Sequence, residues 1–239
     1  VRAWRHGHRF AIFLFQGKGG IRDKHGTGVQ TCAPPIHVAT GLARILQQGG
    51  VEWVSTFPVW QVNHALGREG IPMVMMRDDR YAVAVADAYS RITAGTKNGV
   101  CTFQGGVNAA GLQVAFAGMA QAFEDGSPVL CITDGIPTGA TGNSQFDVTS
   151  ALKTVTKWYG HVDRPERLPE YMRRAFTMLR SGRPGPVVIA IPDPHAQYDE
   201  TADPYIPVKG SKYAPDPADI AGAVDLLLKA EKPLIYVGE

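Results

Sequence analysis

Two acidic residues that could take part in acid–base chemistry end a short apolar run in the segment VMMRDDRYAVAVADAYSR, residues 74–91. Asp78 and Asp79 precede a helix-like stretch composed mainly of alanine, valine and tyrosine. A carboxylate in such apolar, water-poor surroundings has a raised pKa and can share a proton with a weak base. A structural function is also open, because aspartate at the start of a helix stabilises the helix dipole.

Other unusual residues also follow apolar runs. Pro58 follows VEWVSTF, the triplet Gln104-Gly105-Gly106 follows GVCTF, and Asp134-Gly135 follows PVLCIT. In open α/β sheets, ligands bind where the carboxyl ends of the strands meet the following loops. The clustering of these residues at strand ends therefore predicts a ligand site at one edge of a sheet.

The elements that would position this edge alternate between strands and helices from His37 to Pro192. Apolar runs with little polar interruption, such as GPVVIAIP, alternate with amphipathic helical patterns such as ERLPEYMRRAFTMLRSG. Continuously apolar strands are typical of parallel sheets that are buried on both faces. We therefore expect an α/β fold, a parallel sheet flanked by helices on both faces. Within the third helical pattern, Asp87 and Arg91 are spaced i, i+4 and are expected to form a structural pair.

Composition excludes several classes of protein. The chain of 239 residues is 44% hydrophobic and 19% charged, with a net charge of +2, so no strong field favours a nucleic acid or a membrane as partner. No run of about 18 apolar residues is present. Cys32, Cys101 and Cys131 have no CxxC spacing. Cys101 and Cys131 lie in apolar runs and are interpreted as buried thiols in a reducing, cytoplasmic compartment rather than as metal ligands.

The two ends of the chain differ from its centre. Residues 1–35 are basic and glycine-rich, and we expect an irregular extension outside the fold. Beyond the centre, residues 201–212 belong to a proline-rich, polar segment that is typical of a linker. Residues 213–239 predict one helix and one strand, too little to bury a core. They are interpreted as the incomplete start of a second α/β domain, in a chain that is expected to be truncated.

The order of several segments resembles the N-terminal, pyrimidine-binding domain of thiamin-diphosphate enzymes of the acetolactate synthase and pyruvate oxidase superfamily. The resemblance covers residues 36–200 and rests on the segments VEWVSTFPV, RDDRYAVAVADAYSR, GVCTFQGG, GMAQAFEDGSPVLCITDGIP, VTKW and RRAFTMLRSGRPGPVVIAIP. KPLIYVGE is similar to the first strand of that family's central domain. The resemblance implies the thiamin-diphosphate-binding fold, followed by the start of the central domain.

The resemblance also implies functions for the strand-end residues. Asp79 stands where the family carries a glutamate that hydrogen-bonds N1′ of the aminopyrimidine ring and so favours the imino form, which deprotonates C2 of the thiazolium. Aspartate is one methylene shorter, and a displacement of about 1 Å can cost roughly a hundredfold in rate. Gln104 matches a glutamine near the reacting centre of some relatives, or simply hydrogen-bonds a loop at the strand end.

The cofactor-binding positions depart from the family pattern. Pro58 matches the proline of a Gly-x-Pro-Gly turn whose glycines are replaced here by Thr56 and Val59. A Gly-Pro-Gly loop corresponds to Ala109-Ala110-Gly111, and a glycine pair lies earlier in the chain. With Asn108 and Gln113 as polar candidates for the cofactor wall, the predicted binding residues are Pro58, Asp79, Gly105, Gly106, Asn108, Gly111 and Gln113.

The predicted function is that of the pyrimidine-binding part of a thiamin-diphosphate carboligase or decarboxylase for 2-oxo acids, inactive alone. The family's magnesium ligands, a GDG motif followed by asparagine, do not occur in this sequence, so Mg²⁺ is expected on an absent domain. Whether the central domain binds FAD is left open by the sequence. The expected partners are a second copy in a homodimer or higher homo-oligomer, or a chain with the diphosphate-binding domain. The alternatives are a non-catalytic dimerisation or regulatory module, and a plain nucleotide-binding domain, for which GxGxxG is missing.

Overall fold

The computed structural model describes residues 35–58, 60–105, 109–137, 146–211 and 213–237. All of them belong to one of two units of the chain, residues 33–239. The extension predicted for residues 1–35 lies outside the described residues except for residue 35. The predicted site residues Gly106 and Asn108 also lie outside them.

A six-stranded parallel sheet forms the centre of the described unit, in the order β3-β2-β4-β5-β7-β6. A two-stranded antiparallel ribbon, β1 with β8, lies apart from it. The strands, in chain order, are β1 (Ile36–His37), β2 (Val54–Thr56), β3 (Met73–Met75), β4 (Gly99–Phe103), β5 (Val129–Asp134), β6 (Trp158–His161), β7 (Val187–Ile191) and β8 (Gln197–Tyr198).

Helices cover both faces of this sheet, as the apolar runs predict. Val100 and Leu130 belong to a core that also contains Leu42 and Phe176, whereas Cys101 and Cys131 belong to a second core that contains Ala86. Successive strand residues point to opposite faces, so the two cores lie on opposite sides of the sheet. The helices are α1 (Val38–Gln48), α2 (Trp60–Arg68), α3 (Asp79–Ile92), α4 (Ala110–Glu124), α5 (Val148–Leu152), α6 (Leu168–Arg180) and α7 (Pro217–Lys229).

Local sequence signals explain several of these bounds. Helix α1 ends at Gly49-Gly50, and Gly50 has a φ of 83°, a left-handed conformation that favours glycine. At the end of α6, the ammonium group of Lys157 donates to the carbonyl oxygens of Met178 and Ser181, at 2.5 and 2.8 Å, and satisfies groups that the helix end leaves unpaired.

Strand β3 is more exposed than its apolar sequence suggests, within a sheet that has the predicted helices on both faces. Met73, Val74 and Met75 are 37%, 48% and 62% exposed, respectively. The reason is the position of β3 at one end of the strand order, where β2 is its partner on one side. Strands with equally apolar sequences thus differ in exposure, because long-range pairing decides which strand lies at the edge of the sheet.

Some elements were not predicted, and one predicted strand is not formed. The short helix α5, the edge strand β6 and the ribbon β1–β8 lie in stretches without clear periodicity. The strand predicted in KPLIYVGE is not formed by residues 233–237, where Leu234 is 90% and Tyr236 94% exposed. Within the described unit this segment has no neighbouring strand to pair with. The helix predicted just before it, α7, is present and buries no residue.

The proline-rich segment after Pro192 is anchored to the domain rather than merely lying on it. Tyr198 and Tyr205 are 3% and 8% exposed and belong to the same core as Leu42. Arg180 donates from its guanidinium to the carbonyl oxygens of Val208 and Gly49, at 2.9 and 2.8 Å. These contacts tie the segment to the end of α6 and to the exit of α1.

Candidate functional site

Asp78 and Asp79 have different surroundings although they are adjacent in the chain. Asp78 is the N-cap of α3, and its Oδ1 accepts a hydrogen bond from the backbone N–H of Arg80 at 2.7 Å. Asp79 is the first residue of the helix and is only 6% exposed. Its Oδ1 accepts from the backbone N–H of Gln104, just beyond β4, at 3.0 Å. Asp78 therefore has the structural function, and Asp79 faces the strand-end edge.

The surroundings of Asp79 favour its protonated form. Burial is the largest cause that raises the pKa of its carboxyl group above the ordinary value, and the negative charges of Asp78 and Asp134 raise it further. Hydrogen bonds from the backbone N–H groups of Gln104 and of Asp79 itself act in the opposite direction, because they stabilise the carboxylate. Asp79 is thus a desolvated carboxyl group that binds a proton more readily than an exposed aspartate does.

The start of α4 packs directly against this carboxyl group. A Cβ atom on Gly111 would lie 2.3 Å from the carbonyl oxygen of Gln104 and 2.6 Å from Oδ1 of Asp79, distances that no side chain can adopt. Ala109, the residue before α4, has a φ of 53°, in the left-handed region. Close packing between α4 and the end of β4 therefore requires glycine at position 111.

Asp134 is the last residue of β5 and belongs to the strand-end residues named in the sequence analysis, which assigned it no function. Its Oδ1 accepts from the backbone N–H of Gly105 at 2.5 Å, next to the Gln104 N–H that Asp79 accepts. A Cβ atom on Gly105 would lie 2.2 Å from Oγ1 of Thr133, so glycine is required where the chain crosses the end of β5. The signal in the sequence is an acidic residue that directly ends an apolar strand.

A cavity of about 300 Å³ opens beside Asp134, at the carboxyl ends of β5 and β6. Its lining includes Gly105, Leu112, Tyr159 and His161. Nε2 of His161 lies 3.1 Å from the carbonyl oxygen of Ile136 and is within hydrogen-bonding distance of it. The edge thus combines two carboxyl groups with a concave surface, an arrangement that suits a small polar ligand.

A group of three hydrogen-bonded polar residues joins the ends of β2 and β4 to α2, and the sequence analysis named only one of them, Thr56. The hydroxyl groups of Thr56 and Thr102 lie 2.5 Å apart, and Asn63 of α2 bonds to both, donating to Thr56 at 2.7 Å and accepting from Thr102 at 2.9 Å. Thr56 stands where the family has a glycine of its Gly-x-Pro-Gly turn. Here its side chain joins the ends of β2 and β4 to α2.

The other predicted site residues in the described part of the chain, Pro58, Gln104 and Gln113, lie at or near the same edge. Pro58 is exposed and follows β2, which lies between β3 and β4, so it shares the edge with Asp79. Gln104 is exposed, and Gln113 is exposed on the second turn of α4. The described contacts therefore bring together Asp79, Gln104, Gly105 and Gly111, whereas no contact described here joins Pro58 or Gln113 to Asp79.

Neither a metal cluster nor a membrane-spanning element is found in the described part of the chain. There, no three or more His, Cys, Asp or Glu side chains are grouped so that they could hold a metal ion. None of the described helices is long and apolar enough to cross a membrane. Asp87 and Arg91 form the structural pair that their spacing predicts, with two N–O distances of 2.9 Å.

In α/β domains with an open parallel sheet, ligands bind at the C-terminal ends of the strands. The buried carboxyl group of Asp79 lies at this edge, which is what is expected of a ligand-binding domain of this class. Residues 36–155 match the model of the family described as thiamine pyrophosphate enzyme, N-terminal TPP binding domain. The chain therefore belongs to the family of thiamine pyrophosphate enzymes. Both the family resemblance and the fold class derived from the sequence are confirmed.

Individual relatives point to the same family. The chain is 32% identical over 228 residues to the acetolactate synthase large subunit of Parasynechococcus marenigrum, covering 88% of this chain and 36% of the relative. It is 34% identical over 221 residues to the acetolactate synthase of Arthrospira platensis, covering 84% and 36%. It is 34% identical over 174 residues to the glyoxylate carboligase of Escherichia coli O157:H7, covering 71% and 29%. The chain thus spans roughly a third of the length of these relatives.

Proposed function

We propose that residues 36–200 are the pyrimidine-binding part of a thiamin-diphosphate enzyme that acts on 2-oxo acids, as an acetolactate synthase-like carboligase or decarboxylase. The observation that carries this proposal is the buried carboxyl group of Asp79, whose pKa is raised by burial at the carboxyl edge of the sheet. The names of the relatives, acetolactate synthase and glyoxylate carboligase, support the substrate class.

The residues at this edge fit the aminopyrimidine end of the cofactor. When bound, thiamin diphosphate supplies the electron sink that decarboxylation of a 2-oxo acid requires. Asp79 would hold the ring at N1′ and share a proton with it, since an ionised carboxylate has acceptor sites beyond the one that Gln104 uses. The buried residues Ala82, Val83 and Ala86 of α3 exclude water behind the carboxyl group.

Other residues would orient the ring or the substrate. The N–H of Gln104 holds the Asp79 carboxyl group in place, and the exposed residue Gln104 would present its side chain near the reacting centre. The remaining contacts to the cofactor would come from the turn after β2, from the stretch of sequence between β4 and α4, and from the start of α4. The residues proposed to make them are Pro58, Gly105, Gly106, Asn108, Gly111 and Gln113.

The rest of the enzyme is part of the same proposal. Mg²⁺ and the diphosphate would be held by a domain absent from this chain, and the site would be completed in a homodimer, a higher homo-oligomer or a complex with a chain that carries that domain. Residues 201–212 would link to a central domain that begins at residues 213–239, with FAD as a further cofactor to be tested. The free, buried thiols of Cys101 and Cys131, whose Sγ atoms lie 3.5 Å apart without a disulfide, suit the reducing cytoplasm.

A second candidate function is a non-catalytic dimerisation or regulatory module that keeps the fold. The observation that favours it is the hydrogen bond from the backbone N–H of Gln104 to Asp79. This bond occupies one acceptor site of a carboxylate that is already one methylene shorter than the family's glutamate. The replacement of family glycines by Thr56 and Ala109 points the same way. The two proposed functions differ in whether the site at the strand ends supports catalytic turnover of a 2-oxo acid.

Turnover by a chimera tests this proposal. Residues 36–200 would replace the matching segment of Arthrospira platensis acetolactate synthase, and release of CO₂ from pyruvate or glyoxylate would be measured with thiamin diphosphate and Mg²⁺. We expect activity that Asp79→Asn abolishes and Asp79→Glu retains or raises. A folded chimera that binds the cofactor without turnover, even as Asp79→Glu, would support the non-catalytic module instead.

A further inference from the structure

Two consecutive peptide N–H groups at the end of β4 are held by carboxyl groups from two different elements. The N–H of Gln104 donates to Asp79 of α3 at 3.0 Å, and the N–H of Gly105 donates to Asp134 of β5 at 2.5 Å. Hydrogen bonds to ionised acceptors are shorter and stronger than those between neutral groups. The segment Gln104–Gly105 is therefore fixed on both sides just where the predicted site begins.

The sheet dictates that Asp134 reaches this segment. Strands β4 and β5 pair in register up to Phe103 and Thr133, so the chain leaves β4 beside Asp134, the last residue of β5, which is still paired with Ile191 of β7. Gly105 packs so tightly on Thr133 that a side chain at this position would collide with its hydroxyl group. This close packing places the N–H of Gly105 within hydrogen-bonding distance of the carboxyl group of Asp134.

We propose that Asp134 is a positioning residue of this site, which holds the Gln104–Gly105 peptide so that the N–H of Gln104 stays on Asp79. Its significance for cofactor activation rests on the proposed function, whereas the positioning itself is a property of the free chain. Asp134 also acts on Asp79 through its charge. As a neighbouring carboxylate, it makes proton uptake by Asp79 more favourable.

Other charged and titratable groups near Asp79 and Asp134 could also influence the pKa of Asp79. Asp79 is faced by Asp78 from its own helix and by Asp134 from β5, and both of these charges raise its pKa in addition to burial. The cavity next to Asp134 is lined by three further titratable groups: Asp147 at the start of α5, and Tyr159 and His161 on β6. A test therefore has to separate Asp134 from Asp147, the other carboxyl group of the same cavity.

Two substitutions of Asp134 separate its hydrogen bond from its charge. Asp134→Asn keeps an oxygen that can accept from Gly105 but removes the charge, whereas Asp134→Ala removes both. Asp147→Asn is the matched control, because it neutralises a carboxyl group of the same cavity. Asparagine also keeps an acceptor for the N–H of Ser150, which Asp147 caps at 3.1 Å.

The measurements use the 239-residue chain without any cofactor: amide hydrogen exchange at Gln104 and Gly105, and the pKa of Asp79 from the pH dependence of its carboxyl carbon-13 shift. In Asp134→Ala we expect exchange at both amides to become about five- to tenfold faster, as expected for a lost hydrogen bond. In Asp134→Asn the Gly105 amide should stay protected while the pKa of Asp79 falls. Asp147→Asn should leave the exchange of both amides unchanged.

Each of the two actions proposed for Asp134, on the Gln104–Gly105 peptide and on the charge of Asp79, has a result that would overturn it. One is faster exchange at Gly105 alone in Asp134→Ala, because Asp134 would then only close the end of β5. The other, which decides the matter if the alanine variant does not fold, is an unchanged pKa of Asp79 in Asp134→Asn. Since neither readout needs thiamin diphosphate, a chimera that lacks turnover would contradict the proposed function without affecting this result.

Discussion

Helix α3 buries one aspartate in its first turn and another in its C-terminal half, here called its two ends, but in different ways. Asp87 is 5% exposed and forms two hydrogen bonds of 2.9 Å with the guanidinium of Arg91, which also pairs with Asp125. Asp79 is 6% exposed, and its described hydrogen-bond partner from another residue is a neutral peptide N–H. Burial of a carboxylate is costly unless a cation compensates it. The burial of Asp87 is thus accounted for by its ion pair with Arg91. The burial of Asp79 has no such structural explanation, so a function is needed to explain it.

The first prediction concerns the paired end. Asp87→Ala should lower the free energy of unfolding by roughly 2–3 kcal/mol, less than the full cost of breaking a buried ion pair because Arg91 is partly exposed and keeps Asp125. Urea denaturation measures this change. Asp125→Ala is the control, with an expected loss below about 1 kcal/mol, since Asp125 is itself partly exposed. Equal losses in both variants would remove the distinction between a buried and a surface partner of Arg91.

The second prediction concerns the packing around Asp79. Gly111→Ala should destabilise the domain by roughly 1–3 kcal/mol, because its methyl group would collide with the carbonyl oxygen of Gln104 and with Asp79. Gly222→Ala in α7 is the matched substitution in open space, and it should stabilise that helix by about 0.5–1 kcal/mol. Thermal melting compares the two, and a neutral Gly111→Ala would show that α4 can move away from the carboxyl group at little cost.

The third prediction concerns the charge of Asp79 itself. The folded pKa lies above the unfolded value of 3.8, so the fold binds this proton more tightly than the unfolded chain does. The contribution of Asp79 to stability is therefore greatest at low pH and is lost as the pH rises through the folded pKa. Asp79→Asn should raise the free energy of unfolding at pH 7 by roughly 0.5–2 kcal/mol, as is common when a strained functional group is removed.

Denaturation at several pH values tests the sign of this effect. The advantage of Asp79→Asn should shrink as the pH falls toward 3.8, where the wild-type carboxyl group becomes protonated in both states. A loss of stability at pH 7 would mean that the carboxylate of Asp79 is as well compensated as that of Asp87. The two ends of α3 would then not differ in the way described above.

The sequence predicted much of this comparison, because Asp79 and Asp87 carry local signals. A pair of acids after an apolar run marks the start of α3, and the i, i+4 spacing marks the pair of Asp87 with Arg91. Asp134 could not be assigned in this way, because its contact with Gly105 depends on which strands are neighbours and on their register. The exposure of Met75 and the buried position of Tyr205 have the same origin in long-range packing, which periodicity does not encode.

The most direct test of the central claim is exchange of the C2 proton of thiamin diphosphate bound to the chimera with Arthrospira platensis acetolactate synthase. Two variants that make the same chemical change at adjacent positions are compared, Asp79→Asn and Asp78→Asn, because asparagine keeps the cap that Asp78 provides. If Asp79 shares its proton with the ring, Asp79→Asn should slow the exchange by about a hundredfold or more while Asp78→Asn stays near the unsubstituted rate. Equal rates in both variants would contradict the function assigned to Asp79.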